Sequence, residues 1–208
     1  MRFVRFGVTL EKLLPKYLEV VRRWRNSDLV RPHMRFREVI SSTAQMRWFE
    51  SLDLKTNWYF VAHTSNVPFA LFHIRDIDHA NGLGEAGGFV GDKASVGRPE
   101  AARATLALMD FAFFVLELRS LRAHYNPRMR QIAHFNQLLG YQVDWLEADG
   151  FVCSSVTADR YLECAAPFRA AALEKHGATA AIVEPDPSLA RRLEELCRLN
   201  LVDFKLQL

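Results

Sequence analysis

The residues best suited to chemistry in this 208-residue sequence follow a glycine-punctuated apolar stretch, Ala86–Gly91. The next segment, Lys93–Ala102, contains Gly97 and Arg98, followed by a proline of the kind that occupies the first turn of a helix. Backbone N–H groups and the dipole at such an N-terminus bind anions, and an arginine adds a charge-assisted contact to a phosphate. The pattern therefore predicts a phosphate-binding loop, with an ordinary helix start as the alternative.

Ionisable side chains surround this stretch. Glu85 stands at the head of the strand and is our candidate general base, the alternative being a solvated strand end. We expect the preceding hairpin to bring further ionisable groups near the head of this strand: His73, Asp76 and His79. Their spacing is not that of a metal site. We interpret His124 and His134, further along the chain, as structural. The glycines of the strand indicate a bulge or the close approach of a ligand backbone: Gly87, Gly88 and Gly91.

These residues are positioned by a predicted βαβα unit. It consists of a strand over Ala86–Val90, a long helix beginning near Pro99, a strand over Leu121–Tyr125 and a helix that stops at Gly140. In such a unit the loop before the first helix is the usual place for phosphate binding.

The first half of the chain reads as a strand, two helices and a hairpin. Its predicted elements are a strand over Arg2–Leu10, a helix over Leu13–Trp24, a helix over Gln45–Leu52 opened by a Ser42/Gln45 capping box, and strands over Trp58–His63 and Phe69–Ile77.

The last third begins with a second hairpin and ends in an appendage. We predict strands over Tyr141–Glu147 and Phe151–Thr157 joined at Asp149-Gly150, a strand over Arg160–Ala166 stopped by Pro167, a helix over Phe168–Lys175, a linker and a final helix over Leu189–Leu199. The division is thus a domain over residues 1–170 and a linker with a C-terminal helix over 171–208. We expect that helix to pack on the domain or, alternatively, on a second subunit in a homodimer.

Composition narrows the class of protein. Half of the residues are hydrophobic, a quarter are charged and the formal net charge is +3. The arginines are dispersed, which argues against nucleic acid but suits a polyanionic small ligand. Three cysteines without CxxC spacing (Cys153, Cys164, Cys197) predict neither a disulfide framework nor a zinc site. We expect a cytoplasmic protein with no metal, no signal peptide and no membrane span.

Several segments together resemble the GNAT superfamily of acyl-CoA-dependent N-acetyltransferases. The likeness covers roughly residues 1–170. It rests on Trp24-Arg25-Asn26, Met34, Ile40-Ser41, Met46–Leu52, Asp110–Phe113, Leu118–Arg122 and Ala133–Tyr141. Within the superfamily, the first of these segments resemble a subgroup that contains ribosomal-protein alanine acetyltransferases and, as the nearer match, the nucleotide-sugar N-acetyltransferase of pseudaminic acid synthesis.

The resemblance implies a mixed α/β fold with a splayed, mostly antiparallel sheet flanked by helices. Acetyl-CoA would lie as co-substrate between the strands Ala86–Val90 and Leu121–Tyr125. The small-molecule acceptor would be a primary amine, foremost an amino sugar on a nucleotide and secondly a protein N-terminus.

The residues carried over by the resemblance fall into three groups. Those implied for acetyl-CoA are Phe89, Val90, Gly91, Gly97, Arg98, Glu100, Ala101, Ala102 and Asn126. Those implied for the acceptor are Arg25, Asn26 and Met34. The implied catalytic positions are Glu85 and Asn136.

Four positions depart from the family pattern. Val96 and Pro99 replace the loop's usual cation and first glycine, Met129 replaces an asparagine, and Asn136 replaces a tyrosine thought to protonate the departing thiolate. An asparagine side chain cannot donate a proton in that way. A module that keeps the fold and binds a CoA-like ligand or a protein partner without catalysis is therefore the alternative.

Overall fold

A computed structural model describes residues 1–177, 180–183 and 204–207. The strands in these ranges are β1 (Arg2–Arg5), β2 (Val8–Lys12), β3 (Trp58–Thr64), β4 (Val67–Asp78), β5 (Leu83–Val90), β6 (Ser120–Tyr125), β7 (Gln142–Leu146), β8 (Val152–Thr157), β9 (Ala180–Val183) and β10 (Phe204–Gln207). The helices are α1 (Leu18–Asn26), α2 (Ser42–Glu50), α3 (Pro99–Asp110), α4 (Arg130–Leu138) and α5 (Ala158–His176). No helix in these ranges has the length and apolar character needed to cross a membrane.

The strands form one sheet in the order β10-β9-β1-β2-β3-β4-β5-β6-β8-β7. Within it, β5 pairs with β6 in parallel, β10 pairs with β9 in parallel, and the remaining neighbours are antiparallel. This confirms the predicted fold class, a mixed α/β fold with a mostly antiparallel sheet flanked by helices.

Apolar side chains cover both faces of the sheet. On one face, residues such as Phe60 and Ile74 pack with α3 and α5 in the larger core cluster. On the other face, Val61 and Leu71 pack with Leu18 and Val21 of α1 in a smaller cluster. Over Trp58–Ala62 of β3 and Ala70–Ile74 of β4, successive residues alternate between the two faces, as the twofold period of a strand requires. Leu71 therefore faces α1, whereas Phe69 and Ile77 lie outside this stretch and pack in the larger cluster.

The N-terminal segment is a hairpin and not the single strand predicted over Arg2–Leu10. Phe6 and Gly7 both have positive φ angles, 53° and 70°, and turn the chain between β1 and β2. Two consecutive residues with positive φ are typical of a tight hairpin turn, and glycine at the second place accommodates it. Phe6 is buried, so packing of its ring stabilises a turn that its backbone preference opposes.

The segment after β8 is also different from the prediction. The strand predicted over Arg160–Ala166 is part of α5, and Pro167 lies inside this helix. Thr157 caps the helix, its Oγ1 accepting a hydrogen bond from the N–H of Arg160 at 3.4 Å. A proline in a helix interior removes one backbone donor. Burial of Tyr161 in the same helix keeps the segment helical despite this loss.

The predicted division at residue 170 falls inside α5. The stretch predicted as a linker contains β9, which pairs with β1 through Phe3 and Ile182. The helix predicted over Leu189–Leu199 lies outside the described residues.

Most other predicted elements are confirmed with small shifts of their ends. The cap of α2 is Ser41 and not Ser42, since Ser41 Oγ accepts the hydrogen bond from the N–H of Ala44 at 3.1 Å. The first predicted helix begins later than expected, at Leu18, after a short 3₁₀ turn over Pro15–Tyr17. The long helix begins at Pro99 as predicted, and a π-helical turn over Phe111–Val115 continues it.

A buried carboxylate ties α3 to the sheet and to α5. The side chain of Asp110 has no exposed surface, and its Oδ2 accepts a hydrogen bond from Arg5 Nε of β1 at 2.7 Å. Its Oδ1 accepts one from the hydroxyl of Tyr161 at 2.8 Å and also contacts the guanidinium of Arg169. Burial, together with the neighbouring Arg5, lowers the pKa of Arg169 to about 10. The carboxylate thus compensates two guanidinium groups inside the protein.

We expect the substitution Asp110→Asn to lower the free energy of unfolding by about 3–5 kcal/mol, because it leaves buried guanidinium charge without its counter-ion. Urea unfolding followed by circular dichroism measures this. Asp28→Asn is the matched control, since Asp28 is fully exposed and 3.7 Å from Arg31. Loss of such an exposed pair costs at most about 1 kcal/mol. Equal stability of the two variants would show that the buried cluster contributes nothing.

Candidate functional site

The parallel strands β5 and β6 share a short ladder and then separate. Their paired residues are Leu83 with Ser120, Gly84 with Leu121 and Glu85 with Arg122. Beyond this point, β5 remains paired with β4 up to Val90, while β6 remains paired with β8 up to Tyr125. A wedge therefore opens between the two strands towards their carboxyl ends, and Glu85 stands at its apex.

The ladder of β5 with β4 determines which backbone groups of β5 face this wedge. The N–H of Gly91 donates to the carbonyl of Phe69 at 2.8 Å, on the β4 side. Hydrogen-bonded and non-hydrogen-bonded pairs alternate along an antiparallel ladder, so Phe89 also directs its backbone groups to β4. Val90 and Gly88 direct theirs into the wedge. Of the three positions expected to offer backbone groups there, only Val90 does so, and Gly88 was not anticipated.

The N-terminus of α3 follows the open end of β5. Gly97 has a φ of +76°, and a Cβ at this position would meet no atom within 4 Å. Arg98 is the exposed N-cap residue, and its side chain makes no capping hydrogen bond. The first N–H groups of a helix lack partners within it, which leaves those of Glu100, Ala101 and Ala102 at this end. The N–H of Ala101 has one long contact, 3.4 Å to the carbonyl of Arg98.

The side chain of Glu100 does not contribute to anion binding at this helix end. Its Oε1 accepts a hydrogen bond from Arg103 at 3.1 Å, and its Oε2 is buried without a hydrogen-bond partner among the described residues. Only the backbone of Glu100 is therefore suited to an anion.

The loop after β6 lies on the other side of the wedge. Asn126 begins it with a side-chain turn, its Oδ1 accepting a hydrogen bond from the N–H of Arg128 at 3.0 Å. Exposed cations occupy both loops at the mouth, and none of them has a carboxylate at salt-bridge distance within the described chain: Lys93, Arg98, Arg128 and Arg130. The mouth of the wedge is therefore positively charged, and three of these four residues were not among the predicted site residues.

Aromatic side chains explain two of the glycines in this region. A Cβ at position 87 would lie 2.7 Å from Nε2 of His73, and one at position 91 would overlap the indole of Trp24. Both glycines therefore allow the rings of His73 and Trp24 to lie against the strand. The sequence predicts the close approach of a ligand backbone to these glycines. The groups that approach Gly87 and Gly91 are side chains of this protein, His73 and Trp24.

At the apex, Glu85 belongs to an ionic chain that joins three strands and two connecting segments. Its Oε1 accepts two hydrogen bonds from Arg75 of β4, at 3.0 Å from Nε and 2.6 Å from Nη2. Its Oε2 lies 3.1 Å from Nδ1 of His124 on β6. Nε2 of His124 lies 3.6 Å from Oε1 of Glu147, which follows β7. Arg35, in the segment between α1 and α2, contacts Glu147.

The residues predicted to contact the acceptor lie where α1 ends. Asn26 uses both ends of its amide on the backbone of Ile40: its Nδ2 donates to the carbonyl and its Oδ1 accepts from the N–H, each at 2.8 Å. This residue therefore fixes the segment before α2 through its amide group. Arg25 donates to the carbonyl of Phe36 at 3.2 Å, and the carbonyl of Met34 accepts from Arg37 at 3.0 Å.

Other predicted residues make contacts of their own. Asn136 is half-buried in α4, and its carbonyl closes the end of that helix on Leu139 and Tyr141. His79 contacts the carbonyl of Lys55 at 3.1 Å and lies near the β4–β5 turn, at the opposite end of β5 from the mouth. His73 and Asp76 both lie on β4: His73 is the register partner of Gly87, and Asp76 Oδ2 lies 3.5 Å from Nε of Arg75.

Two shallow cavities in the described part of the chain lie away from the wedge. One of about 300 Å³ is lined by polar residues of β1 to β3, including Thr9, Glu11 and His63. The other, of about 290 Å³, lies at the β4–β5 turn beside Arg119. The wedge itself is an open groove between two strands, so it does not form an enclosed cavity. The candidate site lies at the wedge because its strands expose unpaired backbone groups. Across the described residues, no group of three His, Cys, Asp or Glu side chains is arranged to hold a metal ion.

The contact of Arg75 with Glu85 depends on a register shift that the hairpin turn does not predict. The turn pairs Asp78 with Leu83, and an irregularity between Arg75 and Asp78 then moves the register by one residue, which places Arg75 opposite Glu85. No short-range pattern identifies Arg35 or Glu147, because they reach the apex from a connecting segment and from the turn after β7.

Burial of His73 predicts a dependence of stability on pH. Burial, aided by the nearby Arg75, lowers the pKa of His73 to about 3, whereas a histidine in the unfolded chain has a pKa of about 6.5. Below pH 6.5 the unfolded chain takes up a proton that the folded protein excludes, so the free energy of unfolding falls as the pH falls. Between pH 6.5 and pH 5 the expected loss from this residue is roughly 2 kcal/mol.

Urea unfolding at several pH values tests this expectation on the wild type and on His73→Gln. The variant should lose less stability on acidification than the wild type, by about that amount. His33→Gln serves as the control, because His33 is exposed and its replacement should preserve the wild-type pH dependence. Parallel pH profiles for the wild type and His73→Gln would contradict the prediction.

Comparisons with known proteins identify the architecture. No protein-family model matches the chain, and no curated protein matches it. Among solved structures, the spermidine N-acetyltransferase of Vibrio cholerae, in complex with CoA and spermine, is similar at 13% sequence identity and a TM-score of 0.66, covering 75% of this chain and 98% of that one.

Two further structures show the same similarity. An uncharacterised protein of Bacillus halodurans has a TM-score of 0.67 at 12% identity, covering 79% of this chain and 91% of its own. A domain from Methanocaldococcus jannaschii has a TM-score of 0.63 at 12% identity, covering 72% of this chain and 97% of its own. At these identities the likeness is one of fold. The chain has the fold of the GNAT N-acetyltransferases.

Proposed function

We propose that this protein transfers an acyl group, foremost acetyl, from acyl-CoA to an amine. The observation that carries this proposal is the wedge between β5 and β6, which exposes strand backbone groups and ends at the N-terminus of α3. An amide-rich arm binds well along a free strand edge, and a diphosphate binds well at a helix N-terminus. The pantetheine arm and pyrophosphate of CoA combine these two features.

Residues at the wedge fit the parts of such a co-substrate. Backbone groups of Gly88 and Val90 would pair with the amides of the arm. The N–H groups of Glu100, Ala101 and Ala102 would bind the pyrophosphate, and Gly97 leaves room for it. The charges of Lys93, Arg98, Arg128 and Arg130 would attract the phosphates of the co-substrate to the mouth. When bound, acetyl-CoA supplies an activated thioester.

The chain's own contribution to the reaction lies at the apex. Strand N–H groups near Val90 can stabilise negative charge on the thioester oxygen. The ionic chain around Glu85 supplies groups that take a proton from the amine. A thiol has a pKa of about 8.5, so a thiolate leaves without a strong proton donor. The asparagine at position 136, where the family usually has a tyrosine, is therefore compatible with turnover.

The acceptor in our proposal is an amino sugar carried on a nucleotide, with a protein N-terminus as the second candidate. This choice rests on the sequence resemblance of Trp24–Asn26 and Met46–Leu52 to enzymes with such acceptors. Spermidine is a third amine to test, because it appears in the name of the Vibrio cholerae protein of similar fold.

A non-catalytic module is the second candidate function. Asn136 favours it, since this position lacks the hydroxyl found in most of the family. In that case the protein binds a CoA-like ligand at the same wedge without transferring its acyl group.

Isothermal titration with acetyl-CoA tests the binding site. The wild type should bind with a sub-millimolar dissociation constant. Arg98→Ala and Arg130→Ala should each weaken binding about tenfold, since a hydrogen bond to a charged group contributes about 1.5 kcal/mol or more. Arg119→Ala is the matched control, because Arg119 is an exposed arginine that precedes β6, at the opposite end of the strand. Absence of binding to the wild type would overturn the proposal.

Release of free CoA thiol on mixing acetyl-CoA with an amine tests catalysis. The amines are a UDP-linked amino sugar, a peptide with an N-terminal alanine, and spermidine. We expect release that depends on one of these amines, together with an acetylated product identified by mass spectrometry. Tight binding of acetyl-CoA without transfer to any amine would identify the non-catalytic module instead.

A further inference from the structure

The imidazole of His124 lies between two carboxylates at the apex of the wedge. Its Nδ1 is 3.1 Å from Glu85 Oε2, and its Nε2 is 3.6 Å from Glu147 Oε1. Only a small fraction of the side chain is exposed, and Nδ1 has no partner with hydrogen-bond geometry among the described residues. Each ring nitrogen of His124 therefore faces a carboxylate oxygen.

The position of His124 on β6 is suited to the acyl group. The last residue pair between the strands joins Glu85 to Arg122, so His124 lies two residues beyond it, where β6 has lost its β5 neighbour. Residues two apart on a strand share a face. His124 thus lies on the same face as Arg122, at the point where the wedge begins.

Glu85 is less available than its position at the head of β5 suggests. Its Oε1 is occupied by two N–H groups of Arg75, and its Oε2 is directed at His124. The carboxylate is therefore held in one orientation by neighbouring strands. This arrangement is typical of a group that orients a neighbouring histidine.

We propose that His124 is the proton acceptor of the transfer reaction, and that Glu85 and Arg75 are positioning residues for it. The inference rests on the proposed function and deepens it. The amine nitrogen forms a bond to the thioester carbonyl carbon, and its proton passes to Nε2 of His124, while the Glu85 carboxylate, 3.1 Å from Nδ1, favours a proton on that nitrogen by its charge. The C–S bond then breaks, and CoA leaves as the thiolate.

The charges around His124 are balanced by groups from several elements. Arg75 on β4 pairs with Glu85 and also lies 3.5 Å from Asp76 Oδ2, and Arg35 between α1 and α2 pairs with Glu147 and also lies 3.1 Å from Asp149 Oδ2. Arg122 lies on β6 itself, and Cys153 of β8 is the register partner of His124. Burial raises the pKa of the Cys153 thiol, which keeps this neighbour uncharged. The two carboxylates are thus fixed in place, and the thiol adds no competing charge.

The test compares His124→Gln and Glu85→Gln with the wild type, using whichever of the three amines is transferred fastest. His124→Gln should lower kcat/KM for the amine at pH 7 by about 10²-fold or more. Its affinity for acetyl-CoA, measured by titration calorimetry, should stay at the wild-type value. The acid limb of the pH profile of kcat/KM should become less steep in the variant, because deprotonation of the amine alone then determines it. His134→Gln, at an exposed position of α4, is the matched control.

A spectroscopic measurement tests the geometry without an acceptor. Long-range ¹H–¹⁵N correlation spectra of ¹⁵N-histidine-labelled protein report the tautomer of each imidazole, and His124→Gln assigns the signal. We expect the neutral Nδ1–H tautomer for His124 in the wild type and its loss in Glu85→Gln. An Nε2–H tautomer in the wild type would overturn the proposal, even if none of the amines is acetylated.

The kinetic outcomes are equally decisive. Near-normal activity of His124→Gln, combined with an inactive Glu85→Gln, would overturn the proposal and assign the proton to Glu85. Normal pH profiles for both variants would show that the ionic chain is structural. Failure of the wild type to transfer acetyl to any amine counts against the proposed function, and the tautomer measurement still decides the arrangement of His124 and Glu85.

Discussion

The separation of β5 from β6 is the constraint on which the site depends. A sheet is stabilised by continuous pairing of backbone groups, and an unpaired stretch in its middle leaves donors and acceptors unsatisfied. Here the two strands remain in one sheet because three residue pairs join them at one end and because β4 and β8 pair with their outer edges. The unpaired inner edges are then available for a ligand with amide groups.

Helix α3 must be held firmly for this wedge to be useful, because its N-terminus forms one side of the mouth. The helix packs on β1, β2 and β4, and its last residue, Asp110, is fixed by groups from β1 and α5. Polar groups at the C-terminal end of the helix thus hold the end that faces away from the ligand. The two ends of α3 thus have different roles: the buried C-terminal end anchors the helix, and the exposed N-terminal end presents N–H groups.

The sequence predicts the elements around the wedge well because their signals are local. The apolar alternation of β3 and β4, the turn at residues 78–82 and the proline at position 99 each depend on neighbouring residues alone. Local signals also gave two wrong predictions, a single strand through Phe6-Gly7 and a strand that stops at Pro167. In both places burial of an aromatic side chain, Phe6 or Tyr161, overrides the local backbone preference. The orientation of backbone groups at Phe89 and Gly91, and the ionic chain through Arg35, depend on register and on contacts distant in sequence.

The pairing of β1 with β9 has a consequence for how the chain is made. Residues 2–5 cannot complete their place in the sheet until residues 180–183 have been synthesised, because the two strands are direct neighbours. Contacts of such large sequence separation slow folding. During synthesis the β1–β2 hairpin therefore presents one edge without its neighbour, and unpaired edges are prone to association with other chains. Strand β1 is therefore enclosed only after most of the described sheet has been synthesised.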